Sequence, residues 1–135
     1  MNKIYQELLS EAKRACENSY SPYSKFPVGA CVLFESGKKY IGCNVENASY
    51  GLSICAERNA ISVAISNGEK SKITAIAVYS PKQVKCMPCG ACRQWMNEFA
   101  LDSKETKIIL EDDNNDLLVM ALEDIFPYGF KMTNN

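Results

Sequence analysis

Two separated stretches, Ser53-Ile54-Cys55-Ala56-Glu57-Arg58 and Pro88-Cys89-Gly90-Ala91-Cys92-Arg93, constrain this chain more than any other feature. Together they hold three thiols and a carboxylate two residues from the first of them. A catalytic zinc ion keeps three protein ligands and leaves its fourth position to water. Cys55, Cys89 and Cys92 supply such a set, and Glu57 stands beside it as a non-ligating acid–base group. Read as one site, the two stretches oblige the fold to carry residue 55 up to residues 89–92. The chain contains no histidine. That removes Ser-His-Asp and Cys-His machinery and every imidazole-ligated metal. Any proton shuttle must then be a carboxylate, lysine, tyrosine or thiol.

The spacing is chemically sensible. Cys89 and Cys92 fall on one face if they occupy the first turn of a helix, and Pro88 suits a helix entry because it has no N–H to satisfy. Cys55 sits where a second helix begins. All three sulfurs then lie near helix N-termini, where the dipole and unpaired N–H groups favour thiolate. Zinc with three thiolates carries a net charge of −1, a poorer acid for its water than a site of neutral ligands. The helix ends offset part of this, and Arg58 can offset more by hydrogen bonding to thiolate. Hydroxide near neutral pH is then reasonable, with Glu57 taking the water proton and returning it to the substrate.

Length and composition set the frame. At 135 residues, 47% hydrophobic and 23% charged, the chain fits one domain, residues 1–135, able to bury roughly two-thirds of its unfolded surface. A net charge of −1 argues against a nucleic-acid partner, which needs a basic footprint. The short lysine runs at 70–72 and 82–85 read as solvated turns. No apolar run approaches the ~20 residues that span a bilayer, and the polar, periodic N-terminus does not read as a signal peptide. Seven cysteines, an odd number without a secretory signal, point to free or metal-bound thiols in a reducing compartment, the cytoplasm.

Periodicity predicts an amphipathic helix over 2–18, a loop bracketed by Pro22 and Pro27, a strand over 28–35, a tight turn at 36–38 and an antiparallel return over 39–45. A polar loop over 44–53 leads into a helix over 56–66 that stops at Asn67-Gly68. The near-continuous apolar run 73–80 reads as a buried central strand, 81–87 as loop and 89–99 as a third helix. A strand over 106–111, a polar turn at 112–116, an apolar segment at 117–120 and a short helix at 121–125 complete the pattern. Leu117 stands where a calcium loop wants glycine, so 112–116 is a plain turn. Cys16, Cys31 and Cys43 read as small core residues. The fold class is α/β, a three-layer α-β-α arrangement of a mixed five-stranded sheet with helices on both faces.

Two other readings of the cysteines stand beside the open zinc site. Cys89-Gly90-Ala91-Cys92 has the form of a thioredoxin-type redox pair, though such a pair needs no third cysteine with an adjacent glutamate. Cys86 could join Cys55, Cys89 and Cys92 in a closed four-thiolate structural zinc, although it precedes Pro88 and lies outside the helix start.

A Cys-x-Glu followed by Pro-Cys-x-x-Cys is the signature of zinc-dependent deaminases. The chain resembles one such family, cytidine deaminase in its short single-domain form, over almost its whole length. The resemblance is carried by Pro22-Tyr23-Ser24-Lys25-Phe26-Pro27-Val28-Gly29-Ala30, by the block from Gly42 to Gly51, by Cys55-Ala56-Glu57-Arg58-Asn59-Ala60-Ile61 and by Pro88-Cys89-Gly90-Ala91-Cys92-Arg93-Gln94. It implies one Zn2+ per chain on Cys55, Cys89 and Cys92, Glu57 as proton shuttle and Arg58 as charge balance. It implies that Asn44 and Glu46 bind the ribose hydroxyls, that Phe26 packs on the pyrimidine face, and that the Ala56 backbone donates to the base carbonyl. It also implies a homotetramer whose neighbouring subunits complete each pocket, with Tyr50 and Phe130 at the matching positions. Met87, Ile125-Phe126 and Tyr128-Gly129 depart from the usual family pattern.

The activity so implied is hydrolysis of cytidine and 2′-deoxycytidine to uridine and 2′-deoxyuridine with release of ammonia, a step of pyrimidine salvage. Zinc hydroxide attacks C4 while Glu57 shuttles protons. A related aminopyrimidine deaminase of the blasticidin S type lacks the need for a ribose-recognising pair. A non-catalytic zinc module predicts the closed site with Cys86 and no turnover. An editing deaminase would need a basic groove that this composition does not provide.

Overall fold

The computed structural model describes residues 2–132. Its centre is a sheet of five strands, β1 (Gly29–Phe34), β2 (Lys39–Cys43), β3 (Ile73–Tyr79), β4 (Lys107–Glu111) and β5 (Leu117–Ala121), in the order β2-β1-β3-β4-β5. β3 and β4 are parallel and every other neighbouring pair is antiparallel, so the sheet is mixed, as expected. The helices are α1 (Asn2–Cys16), α2 (Ala56–Ser66), α3 (Gly90–Phe99) and the single turn α4 (Leu122–Ile125).

Strand side chains alternate between the two faces, and the core divides accordingly. Ala30, Val32 and Phe34 of β1, Ile76 and Val78 of β3, and Ile108 and Leu110 of β4 pack with Ala60, Ile61, Cys92 and Met96 of α2 and α3. Cys31, Ala75, Ala77 and Ile109 point the other way, onto Tyr5, Leu8 and Ala12 of α1. Strands covered on both faces read as continuous apolar runs rather than alternating ones, which explains the composition of 73–80. A fully buried Ile, Leu or Phe contributes ~1.5–3 kcal/mol, and Phe34, Ile76, Ile108, Ile109 and Leu110 are all buried to that degree.

One close approach fixes where the site is built. A Cβ at Gly42 would lie 2.4 Å from the Ala60 nitrogen and 2.8 Å from the Ala56 carbonyl oxygen. The backbone of β2 therefore touches the first turns of α2, the helix that opens directly after Cys55. Just past the other end of α2, the buried Glu69 carboxylate accepts from Ser36 Oγ at 2.9 Å, Tyr40 Oη at 3.0 Å, Ser71 N at 3.2 Å and Ser71 Oγ at 2.6 Å. It ties the β1–β2 turn to the entry of β3.

Several expected boundaries are corrected. α1 ends at Cys16, with Glu17 and Asn18 in a turn. β2 ends at Cys43 rather than residue 45, because Val45 leaves the sheet to form bridges with Tyr20 and Ile54. Cys43, on the edge strand β2, is half-buried like its neighbours there, not a core residue as expected, whereas Cys16 and Cys31 are buried. The loop 44–53 contains a 3-10 turn at Tyr50–Leu52. Residue 89 caps α3 rather than starting it, and residue 121 closes β5 rather than opening α4.

Candidate active site

Cys55 is the N-cap of α2 and Cys89 the N-cap of α3, both with extended backbone (φ −72°, ψ 157° and φ −71°, ψ 170°). Neither side chain makes the capping hydrogen bond usual at that position, so both sulfurs project outward in front of their helices. Cys92, in the first turn of α3, is fully buried beneath them. Cys55 Sγ and Cys89 Sγ stand 3.8 Å apart, Cys89 Sγ and Cys92 Sγ 3.6 Å, and all three sulfurs lie within 4.8 Å of one another. Zn–S bonds of about 2.3 Å in tetrahedral geometry give a sulfur–sulfur edge of ~3.8 Å. The three thiols therefore fit a zinc ion without rearrangement of the chain. Cys86 is not a member of the cluster, so the closed four-thiolate set is not assembled.

The electrostatics at this corner favour anionic sulfur. Hydrogen bonding from Cys92, Arg58 and Cys89 pulls the Cys55 thiol down to about 5. The Cys92 thiol is pushed up, by its hydrogen bond to Cys55 and by burial. Cys55 is thus favoured over Cys92 as the seat of negative charge. Arg58 donates from Nη2 to Cys55 Sγ at 3.4 Å, while its buried Nε has no partner. Cys86 is pushed up to about 11, chiefly by burial, and is an inert thiol by comparison.

Glu57 is 3% exposed. Burial pushes its carboxyl up to about 7, its own backbone N–H and Arg58 pull against that, and the Cys55 charge adds to it. A carboxylic acid that exchanges its proton near neutrality is what a general acid–base group requires. Ala56, at the first position of α2, is buried and offers one of the N–H groups that a helix leaves without an internal partner.

A second group of residues gathers beside Cys55. Val45 and Ile54 exchange two backbone hydrogen bonds of 2.9 Å, and Tyr20 N donates to Asn44 O while Glu46 N donates to Tyr20 O. This closes the loop 46–53 at its base, with Glu46 at one foot and Cys55 one residue past the other. Glu46 accepts from Tyr23 N at 3.0 Å, from Ser24 N at 3.1 Å and from the Ser24 hydroxyl, which first among these holds its carboxyl below the usual carboxylate range. A cavity of about 290 Å³ is lined by Tyr23, Ser24, Glu46, Tyr50 and Ser53. Tyr23 and Tyr50 meet edge to face with ring centroids 5.9 Å apart.

The sequence-predicted residues thus divide. Glu46 and Tyr50 share the cavity, whereas Phe26, Asn44 and Phe130 do not line it. Asn44 is engaged within the fold: its Oδ1 accepts from Val28 N and Ser19 Oγ, and its Nδ2 donates to Phe26 O at 2.9 Å. It retains one amide N–H for another acceptor. The Phe130 carbonyl is held by α3 while the residue is 67% exposed. Sequence alone gives Tyr23, Ser24 and Ser53 no role beside Glu46, because that association depends on long-range closure of the two loops. A larger cavity of about 640 Å³, between α3 and the C-terminal segment, contains none of the clustered thiols.

Comparisons with known proteins agree with this geometry. A family profile described as the cytidine and deoxycytidylate deaminase zinc-binding region matches residues 2–107. A cytidine deaminase of Halalkalibacterium halodurans is 42% identical over 125 residues, covering 93% of this chain and 92% of that protein. One from Sporosarcina psychrophila is 49% identical over 94 residues, covering 70% and 68%. The crystal structure of cytidine deaminase from Burkholderia pseudomallei matches with a TM-score of 0.83 at 41% identity, over 93% of this chain and 98% of that one. That from Mycobacterium tuberculosis matches at 0.81 and 35%, over 95% and 98%. The profile runs through both cysteine stretches, and the chain belongs to the cytidine deaminase family.

Proposed function

We propose that the chain, as one deaminase domain over residues 1–135, hydrolyses cytidine and 2′-deoxycytidine to the corresponding uracil nucleosides and ammonia. The observation that carries this reading is the cluster of three sulfurs at the spacing of a zinc tetrahedron, with the buried Glu57 two residues beyond Cys55. Cys55, Cys89 and Cys92 would hold the ion, and Arg58 would temper the charge of the three thiolates. When bound, zinc supplies the Lewis acidity that lowers the pKa of a water toward about 7.

The chain's own groups do the rest. Glu57 takes a proton from water and delivers it to N3 of the base as the C4–O bond forms. It then carries the second water proton to the exocyclic amine as the C4–N bond breaks, so that water and nucleoside become uracil nucleoside and ammonia. The Ala56 N–H is offered to the base carbonyl, and Phe26 to the face of the ring. Glu46, already an anion, and the remaining amide N–H of Asn44 are suited to a sugar diol. Tyr50 and Phe130, 74% and 67% exposed, fit contact with a neighbouring copy in a homotetramer. The seven free cysteines fit a reducing compartment such as the cytoplasm.

The test is zinc content together with the loss of cytidine absorbance on adding purified protein, run alongside Glu57→Ala. One zinc per chain and Glu57-dependent conversion support the reading. Zinc without turnover of either nucleoside overturns the substrate, and substantial turnover by Glu57→Ala overturns the shuttle.

A further inference from the structure

A run of hydrogen bonds leaves α3 toward the C-terminal segment and plays no part in the proposed chemistry. Arg93, the residue after Cys92, donates from Nε to the Pro88 carbonyl at 2.7 Å and from Nη1 to the Ile125 carbonyl at 2.6 Å. Farther along the helix, Gln94 Nε2 and Asn97 Nδ2 both donate to the Phe130 carbonyl, at 3.0 and 2.9 Å. Between these acceptors the chain passes through Tyr128, with φ +57°, and Gly129. A Cβ at Gly129 would lie 2.6 Å from Cδ2 of Phe126 and 3.0 Å from Nδ2 of the buried Asn97. A side chain there would meet the Phe126 ring of the same segment first and the Asn97 amide of α3 second.

The Pro88 carbonyl belongs to the peptide unit that carries the Cys89 N–H. Holding that carbonyl fixes the plane from which the first thiol of α3 projects. The guanidinium is a rigid fork of donors, so the angle between its two carbonyls is fixed as well. We propose that Arg93 is a positioning residue that couples the C-terminal segment 125–130 to the Cys89–Cys92 turn. A docked tail tightens the hold on the metal and so slows its loss, and by linkage a bound metal holds the tail down. This rests on reading Cys55, Cys89 and Cys92 as zinc ligands.

The experiment times zinc transfer from loaded protein to excess 4-(2-pyridylazo)resorcinol for wild type, Arg93→Gln, Arg93→Lys and Gly129→Ala. Partners that orient metal ligands are worth about ten- to a hundredfold in metal affinity, so Arg93→Gln is expected to speed transfer at least about tenfold. Arg93→Lys should fall between, because an ammonium serves one carbonyl but not the pair. Gly129→Ala changes no residue near the thiols, yet it should speed transfer in the same direction. Its effect should shrink in the Arg93→Gln background, where the contact is already broken.

Chymotrypsin cleavage of the tail, read in parallel, should quicken when zinc is stripped from wild type and become indifferent to zinc in Arg93→Gln. A purely structural arginine would leave that zinc dependence in place, and such a result overturns the proposal. So does Gly129→Ala releasing zinc at the wild-type rate while its tail is cleaved faster, a result that stands even where Arg93→Gln does not fold. Wild-type protein that takes up no zinc overturns the ligand reading and the coupling together. Variants that load zinc and release it like wild type overturn the coupling alone.

Discussion

The two ends of α2 carry carboxylates of opposite character. Glu57 at its head is 3% exposed and Glu69 just past its tail 8%, yet Glu57 lies deep, where burial is the leading influence on its carboxyl, and Glu69 lies near the surface, where donors are. Glu69 is wrapped by Ser71, Ser36 and Tyr40, and these, the Ser71 hydroxyl foremost, pull it down to about 2. Around Glu57 the hydrogen bonds are too few to answer its burial, and the carboxyl is pushed up to about 7. A buried carboxylate satisfied on all sides is committed to the anion and serves as a tie. One left short of donors keeps an exchangeable proton, which costs stability and makes it useful.

The comparison is sharpest in turnover. Glu57→Gln keeps the volume and removes the titration, and kcat for cytidine is expected to fall by ~10²–10⁴ with zinc content unchanged. A fall of less than tenfold would show that the head of α2 is no more reactive than its tail. Glu69→Gln should do the reverse. It deprives Ser36, Tyr40 and Ser71 of an anionic acceptor, so the thermal midpoint falls while kcat per zinc-loaded chain stays at the wild-type value. Loss of kcat without loss of stability would break the assignment of Glu69 as a tie.

The smallest effects lie in the pH dependence of stability, and there the two ends have opposite slopes. In zinc-free, reduced protein, Glu57 holds its proton in the folded state between the ordinary 4.5 and about 7. Folded protein then binds more protons than unfolded, and stability falls as pH rises through that window, by about 3 kcal/mol at most. Cys55, pulled down to about 5, pushes the other way above that pH, so the measurable quantity is the difference between wild type and Glu57→Gln in chemical denaturation. Glu69 titrates between 4.5 and about 2. Its contribution is complete above 4.5 and is lost as pH falls through that range, and Glu69→Gln should flatten that acid limb. Matching slopes in the two variants would erase the contrast.

The same two ends show what a sequence discloses. The head of α2 is legible because its chemistry is local: Cys55, Glu57 and Arg58 lie within one turn, and Cys89 and Cys92 within another. The helices and β3 are legible because periodicity and covered faces leave a direct pattern. Glu69 is not, since Ser36 and Tyr40 reach it only after the β1–β2 hairpin folds back. Nor is the grip of Glu46 on Tyr23 and Ser24, or the engagement of Asn44 by Ser19, Phe26 and Val28. Val45 looks like a strand residue but lies outside the sheet, bridged to Tyr20 and Ile54, and Cys43 is half-buried like the rest of edge strand β2 beyond Lys39.

The contact at Gly42 has a consequence for altering this protein by selection. The atoms that a methyl group would strike there are the Ala60 nitrogen and α-carbon and the Ala56 carbonyl oxygen, all backbone. No neighbouring side chain can be shortened or rotated to make space. In a library randomised at position 42 together with every side chain around it, active clones should return glycine alone, whatever freedom the rest of the core displays.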